Sequence, residues 1–235
     1  MKFTKLKEHS VIYYIQPHLV SYLRKCDPEN TKSVRPTEKE HNAFEIIFGL
    51  SNITECMDQL YYAIDLISGF RKSTTHDSMN RHDYIVCSTE NVLFRITSVF
   101  DRCLRLSNKV YDIGIPDREC RDSTIINNSK IKGTVAGKTL KKLNKFTSEF
   151  RTRRNEIAHA NCFNDKELNE IQGFYLLDSN DPEVDGYKHM FKAKADSYVA
   201  SKQKEYLGNV VELEELVSNY FSAIQPKIEI IIEGK

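Results

Sequence analysis

Arg81-His-Asp-Tyr-Ile85-Val-Cys-Ser-Thr89-Glu-Asn-Val92-Leu-Phe-Arg-Ile96-Thr-Ser-Val99-Phe-Asp-Arg-Cys103-Leu-Arg-Leu106-Ser-Asn-Lys-Val110 is the stretch whose reading decides the fold. Ile85, Thr89, Val92, Ile96, Val99, Cys103, Leu106 and Val110 follow one another in alternating steps of four and three residues. That spacing lines one side of an α-helix and predicts a helix over Arg81–Tyr111, about 45 Å long at a rise of ~1.5 Å per residue. Gly114 and Pro116 stop it. A seam of this length packs against antiparallel neighbours or serves a partner chain.

Working outward, Thr37-Glu-Lys-Glu40 reads as a capping box, in which hydroxyl and carboxylate each satisfy a free backbone N–H. The helix it opens carries Phe44, Ile47, Phe48, Met57, Leu60, Tyr61, Ile64 and Ile67 and ends near Phe70, with Gly49 and Ser51 as points of bending. Val11–Leu23 has helical spacing but contains Pro17, which predicts a short or kinked helix. Cys26 to Pro36 reads as a polar linker. Downstream, Asn127-Asn128, Gly133 and Gly137 break the chain before a helix over Lys138–Phe150. A short helix over Asp165–Leu177 and a loop at Asp178-Ser-Asn-Asp-Pro follow. The last long helix, bearing Phe191, Ala195, Tyr198, Leu207, Val210, Leu216, Val217, Tyr220 and Ile224, ends before Pro226. Ile228–Ile232 is left as an extended tail or an edge strand. The fold class expected is all-α: an up-and-down helical bundle with additional N- and C-terminal helices. Residues 1–36 form an N-terminal helical segment and linker, 37–177 the bundle core, and 178–235 a long helix and tail packing on the same domain.

A chain of 235 residues with 29% charged and 40% hydrophobic residues is neither disordered nor a membrane protein. No apolar run approaches the ~18 residues of a membrane span, and Met1-Lys-Phe-Thr-Lys5 leads into no signal-length apolar stretch. A cytoplasmic protein without membrane contact is expected. The six cysteines form no Cys-x-x-Cys pair, which excludes a zinc ribbon or dithiol motif on spacing. Cys103, on the seam, reads as a small core residue. No cluster of acids, Cys or His has metal-ligand spacing, and His159-Ala-Asn-Cys162 offers two ligands at most, so neither a metal nor a cofactor is called for. His9, His18, His41, His76, His82 and His189 read as surface or capping residues.

The net charge of +1 is uninformative, but its distribution is not. Lys130 to Arg154 holds nine basic residues against Glu149 alone, and Asp165 to Asp185 holds seven acids against Lys166 alone. A basic stripe suits a polyanion locally, while the balanced total speaks against nonspecific coating of nucleic acid. The stripe runs into Arg154-Asn-Glu-Ile-Ala-His159. Arg and His at this kind of spacing also occur at Arg35/His41, Arg71/His76 and Arg153/His159. Only Arg154 begins the complete Arg-Asn-x-x-x-His string, which chance yields roughly once in a hundred such chains.

In Arg154, Asn155 and His159 the sequence resembles the HEPN superfamily, whose name refers to nucleotide binding in higher eukaryotes and prokaryotes. The resemblance implies an α-helical, usually homodimeric bundle. Its catalytic members are metal-independent endoribonucleases carrying Arg, a polar residue, a short gap and His. It implies Arg154, Asn155 and His159 as catalytic residues, RNA as substrate, and a toxin or defence effector with an antitoxin or defence-system partner. The toxins paired with a nucleotidyltransferase antitoxin have Tyr two residues after the His; here that position is Asn161, so that pairing does not carry over. The alternative is a catalytically silent helical module that binds RNA, nucleotide or protein.

The side chains suit the chemistry. Metal-free RNA cleavage uses the neighbouring 2′-hydroxyl as nucleophile. It needs a group that moves protons near neutral pH and a fixed cation for the phosphoryl oxygens. Histidine and arginine are those groups. At i, i+5 they stand about 140° apart on a regular helix, so a helix end, a kink or a second copy must complete the site. The helix dipole alone also favours Arg151, Arg153, Arg154 and His159 near a C-terminus.

The basic stripe leads to a test in solution. Neutralising Lys138, Lys141, Lys142 and Lys145, with Arg151 and Arg153 as further RNA-binding residues, should weaken RNA binding. It should also flatten the salt dependence, by about 0.7 in log–log slope for each phosphate no longer neutralised. Neutralising acids in Asp178–Asp185 should leave both unchanged. Salt-titrated binding isotherms check it, and equal effects from the two sets would reduce the stripe to a solvated face.

Overall fold

A computed structural model describes residues 4–26, 35–71, 79–159, 163, 165–177 and 182–234. Among them seven α-helices follow one another: α1 (Ser10–Cys26), α2 (Glu38–Leu66), α3 (Arg81–Val110), α4 (Asp122–Ile126), α5 (Val135–His159), α6 (Lys166–Tyr175) and α7 (Pro182–Glu233). Short 3-10 turns lie at Lys5–Glu8 and Asp117–Glu119, and no described residue is in a strand. The protein is all-α. It forms two compact units, one from Gln59–Ile96 and Ser148–Val211, the other from Phe3–Asp58, Thr97–Thr147 and Glu212–Lys235.

In the first unit the seam residues Ile85, Thr89, Val92 and Ile96 are wholly buried, with Leu60 and Ile64 of α2, Leu168 and Ile171 of α6, and Tyr206 of α7. Polar contacts fix the helices at the margin. Gln203 Nε2 donates to the Ile64 carbonyl and to Ser68 Oγ, each at 3.0 Å. Arg81 pairs with Asp196 at 2.5 Å, and Phe174 stacks on Phe191 with centroids 4.8 Å apart.

The second unit buries the rest of the seam, Val99, Cys103, Leu106 and Val110. Here α7 is tied to α3 by a buried polar contact. The Tyr220 hydroxyl donates to the Cys103 carbonyl at 2.9 Å and lies 2.7 Å from Ser107 Oγ. Asn108 closes the end of α3, donating to the Ile115 carbonyl at 2.6 Å and accepting from the Ile115 amide at 3.1 Å. The left-handed turn beyond uses Asp112 and Gly114, with φ of 47° and 78°.

All eight seam residues are at most 1% exposed in a single chain. The seam is therefore filled by the chain's own helices, which corrects the expectation that its length could serve a partner. Other expectations shift for local reasons. Helix α1 runs 17 residues through the exposed Pro17 and is not short. On α2 the structure buries Ala43, Ile46, Leu50 and Ile53, whereas Phe48 is 57% exposed. Gly137 is no break: it lies in the first turn of α5, where a β-carbon would meet the Ile131 carbonyl oxygen at 2.6 Å. Helix α7 does not end before Pro226 but continues to Glu233, and Ile228 and Ile232 are buried on it. Proline inside a helix costs about 3 kcal/mol. Two buried isoleucines recover roughly 1.5–3 kcal/mol each, so the helix wins over the tail. The loop expected at Asp178 and most of the Cys26–Pro36 linker lie outside the described residues.

The capping box forms. The Thr37 amide donates to Glu40 Oε2 at 2.7 Å, and Thr37 Oγ1 accepts from the Glu40 amide at 3.3 Å. Glu40 also accepts from Ser21 Oγ at 2.6 Å and Lys25 Nζ at 2.7 Å, binding α1 to α2. Lys25 first, then Ser21 and Thr37, hold its carboxyl at about 2, down from 4.5. A depressed carboxylate stabilises the fold fully above its unfolded value and loses that contribution as pH falls through the folded one. Thermal melts of the wild type should therefore lose stability between about pH 4.5 and 2. Glu40→Gln should be less stable at neutral pH and show a shallower decline across that window; parallel curves for the two proteins would contradict the assignment.

Candidate active site at the end of helix α5

Helix α5 begins after Gly133, whose φ of +87° makes the turn, and Thr134 Oγ1 caps it by accepting from the Gly137 amide at 3.1 Å. Leu140, Leu143 and Thr147 face inward and are fully buried. The intervening positions go to solvent, so Lys138, Lys141, Lys142 and Lys145 are all exposed. This part of α5 belongs to the second unit; Ser148 onward belongs to the first.

In the first unit α5 carries the motif. Arg151, Arg153 and Arg154 are half-buried, while Asn155 and His159 are exposed. Arg153 Nη2 pairs with Glu149 Oε1 one turn back at 3.2 Å. Arg154 Nε and Nη2 both donate to Asn155 Oδ1, at 3.3 and 2.9 Å, so the amide grips the guanidinium along one edge. His159 is the last helical residue. The helix is regular through the motif, which leaves Arg154 and His159 about 140° apart around the axis and about 7.5 Å apart along it. The structure thus brings Arg154 to Asn155 but does not converge either on His159 within one chain.

The chain beyond the motif is anchored by groups that no spacing in the sequence singles out. The Phe163 amide donates to Glu90 Oε1 on α3 at 2.9 Å. Asp165 caps α6, accepting from the Glu167 amide at 3.0 Å, and pairs with Lys202 of α7 at 3.3 Å. Tyr206 of α7 is fully buried in this unit. Burial pushes its phenol up, Glu205 adds to the shift, and Arg153 opposes it. Among the other histidines, His82, in the first turn of α3, is buried with Nδ1 3.1 Å from Asp83 Oδ1, so of the surface and capping roles expected for it the surface one does not hold. Asn161, Cys162 and His76 lie outside the described residues. Among the described residues no group of three or more His, Cys, Asp or Glu could hold a metal ion, and no helix is long and apolar enough to cross a membrane.

Compared with known families, the chain matches the one described as HEPN_Cthe2314-like HEPN over residues 40–224, most of its length. The match includes the Arg154–His159 string and leaves out α1. No curated protein and no solved structure matches the chain.

The Glu90 contact has a measurable consequence. Removing the carboxylate leaves a nearly buried amide without its acceptor, which costs about 1–3 kcal/mol locally. In Glu90→Ala the Phe163 amide should exchange with deuterium faster than in the wild type, with helix content retained. Unchanged exchange at Phe163 would mean that other contacts hold this segment.

Proposed function

The chain belongs to the HEPN superfamily, and on that premise we propose that it is a metal-independent endoribonuclease acting as a toxin or defence effector. The observation that carries this reading is the complete Arg154-Asn155-x-x-x-His159 string, with Arg154 half-buried and Asn155 and His159 exposed, on a helix that carries Lys138, Lys141, Lys142 and Lys145 on its solvent side. In the proposed reaction the 2′-oxygen bonds to the adjacent phosphorus while the bond from phosphorus to the 5′-oxygen breaks. One imidazole takes the 2′-hydroxyl proton and another protonates the leaving 5′-oxygen. Arg154, oriented by Asn155, neutralises charge on the phosphoryl oxygens, a role suited to its planar fork.

Two imidazoles call for two copies. A straight α5 holds Arg154 and His159 apart, and a symmetric dimer brings the same patch of each subunit together. We therefore propose a homodimer in which His159 and His159 of the partner subunit serve as base and acid. The second reading, a silent module that binds RNA, nucleotide or a protein, is favoured by one observation. Both donors that Arg154 gives to Asn155 are engaged within its own chain.

Pure protein incubated with total RNA separates the readings. Cleavage should survive excess chelator and yield 2′,3′-cyclic phosphate and 5′-hydroxyl ends. His159→Ala should reduce the rate by roughly 10²–10⁴-fold, and Arg154→Ala should abolish it with helix content retained. Sedimentation should show a dimer for all three proteins. Activity lost to chelator and restored by magnesium would end the mechanism, and a monomer cleaving at full rate would end the shared site.

A further inference from the structure

The second unit carries a run of aromatic rings that reaches its surface. Tyr22 of α1 stacks on Phe44 of α2 with centroids 4.6 Å apart and planes 16° apart. Phe44 in turn lies 6.3 Å from Phe48 at 22°. The three rings are near-parallel, and the last, Phe48, is 57% exposed. Ile46, Leu50 and Ile53 fill the inner face of α2, which leaves the Phe48 ring at the surface at the end of this stack.

Phe48 forms a wall of a groove of about 440 Å³ between α2 and α3, shared with Asn52, Arg102, Arg105 and Asp117. Gly49 and Leu106 also line it and lie close together, since a β-carbon at Gly49 would come within 2.9 Å of Leu106 Cδ1. Arg102 is held at the rim by donating to the Ser98 carbonyl at 3.2 Å. Arg105 is exposed, with no hydrogen bond or ion pair to another described residue. Lys109 also reaches the groove but is bonded to Glu45. The groove therefore joins a flat apolar face to two guanidinium groups, with an amide and the carboxylates of Asp101 and Asp117 beside them.

We propose that this groove is a binding site for single-stranded RNA, one base stacking on Phe48 and its phosphate meeting Arg102 and Arg105. A base continues a run of stacked rings, and a guanidinium fork matches phosphate. Paired bases have no free face to offer, which selects a single strand over a duplex. Asn52, which lines the same groove, offers an amide donor and acceptor to the edge of such a base. The site lies in the second unit, whereas Arg154–His159 lies in the first. It is thus a second place of RNA binding, and the inference rests on the reading that this protein handles RNA.

The chain contains no tryptophan, so a Phe48→Trp variant reports from this ring alone. The probe is a 2′-O-methyl hexaadenylate, which lacks the hydroxyl needed for self-cleavage and so measures binding independently of catalysis. Titrating it should quench the indole emission saturably, and inorganic polyphosphate should bind without quenching. Phe48→Ala should weaken binding of the same labelled oligonucleotide about tenfold, the effect of losing one stacked base. Arg105→Gln should weaken it too and lower its salt slope by about 0.7. Binding with unchanged indole emission, or with wild-type affinity in Phe48→Ala, overturns this site while RNA handling stands. Equal quenching by polyphosphate overturns the stacking. Wild-type protein that binds no RNA overturns both the site and the reading beneath it.

Discussion

Burial of the α3 seam by the chain's own helices is the constraint on which the rest of the architecture depends. Its eight residues lie at essentially zero exposure, and they occur in both compact units, four in each. Each unit buries further apolar side chains with its part of the seam: Leu60 and Ile64 of α2 with Leu168 and Ile171 of α6 in the first, and Tyr220, Phe221 and Ile224 of α7 in the second. Apolar burial is nondirectional, so it holds helices together without fixing their register. The directional part comes from a few polar groups. In the second unit the Tyr220 hydroxyl reaches the Cys103 carbonyl and Ser107, a buried network in which a register slip would strand polar atoms.

The candidate site follows the opposite pattern. Nothing in the last turns of α5 is deeply buried, and the helix keeps its regular geometry to its final residue. Regularity is what separates Arg154 from His159, because five residues of α-helix carry the second side chain well round the axis. What the fold does provide is orientation of single groups. Asn155 holds the Arg154 guanidinium, and Glu90 fixes the Phe163 amide beyond the motif. One regular helix therefore does not bring Arg154 and His159 together, while the positions of the individual side chains are a matter for the chain itself.

Membership of the HEPN superfamily covers residues 40–224 and so does not reach α1. That helix is nonetheless integrated with the rest of its unit. Ser21 and Lys25 meet Glu40, and Tyr22 stacks on Phe44, while His9 Nε2 lies 3.1 Å from Ser222 Oγ. The same stack ends at the exposed Phe48, so α1 buttresses the ring that lines the α2–α3 groove.

Periodicity alone determined the helical class, the extent of α3 and the burial of its eight seam positions, because a 3.6-residue repeat converts spacing directly into a face. The capping box at Thr37–Glu40 was equally legible, since its partners lie three residues apart. The Arg154-Asn155-His159 string and the lysines of α5 were legible as residue types in a pattern. Only tertiary structure decided the rest. Pro226 does not end α7 because Ile228 and Ile232 find a core to enter, and Gly137 serves close approach to Ile131 rather than a break. Phe48 faces solvent although its spacing suits the core, because Ile46, Leu50 and Ile53 already fill the inner face of α2. Glu90 and Tyr206 join the neighbourhood of the motif from other helices, through pairings of residues far apart in the chain. Local spacing holds no information about such pairs, since they exist only once the packing has chosen which faces meet.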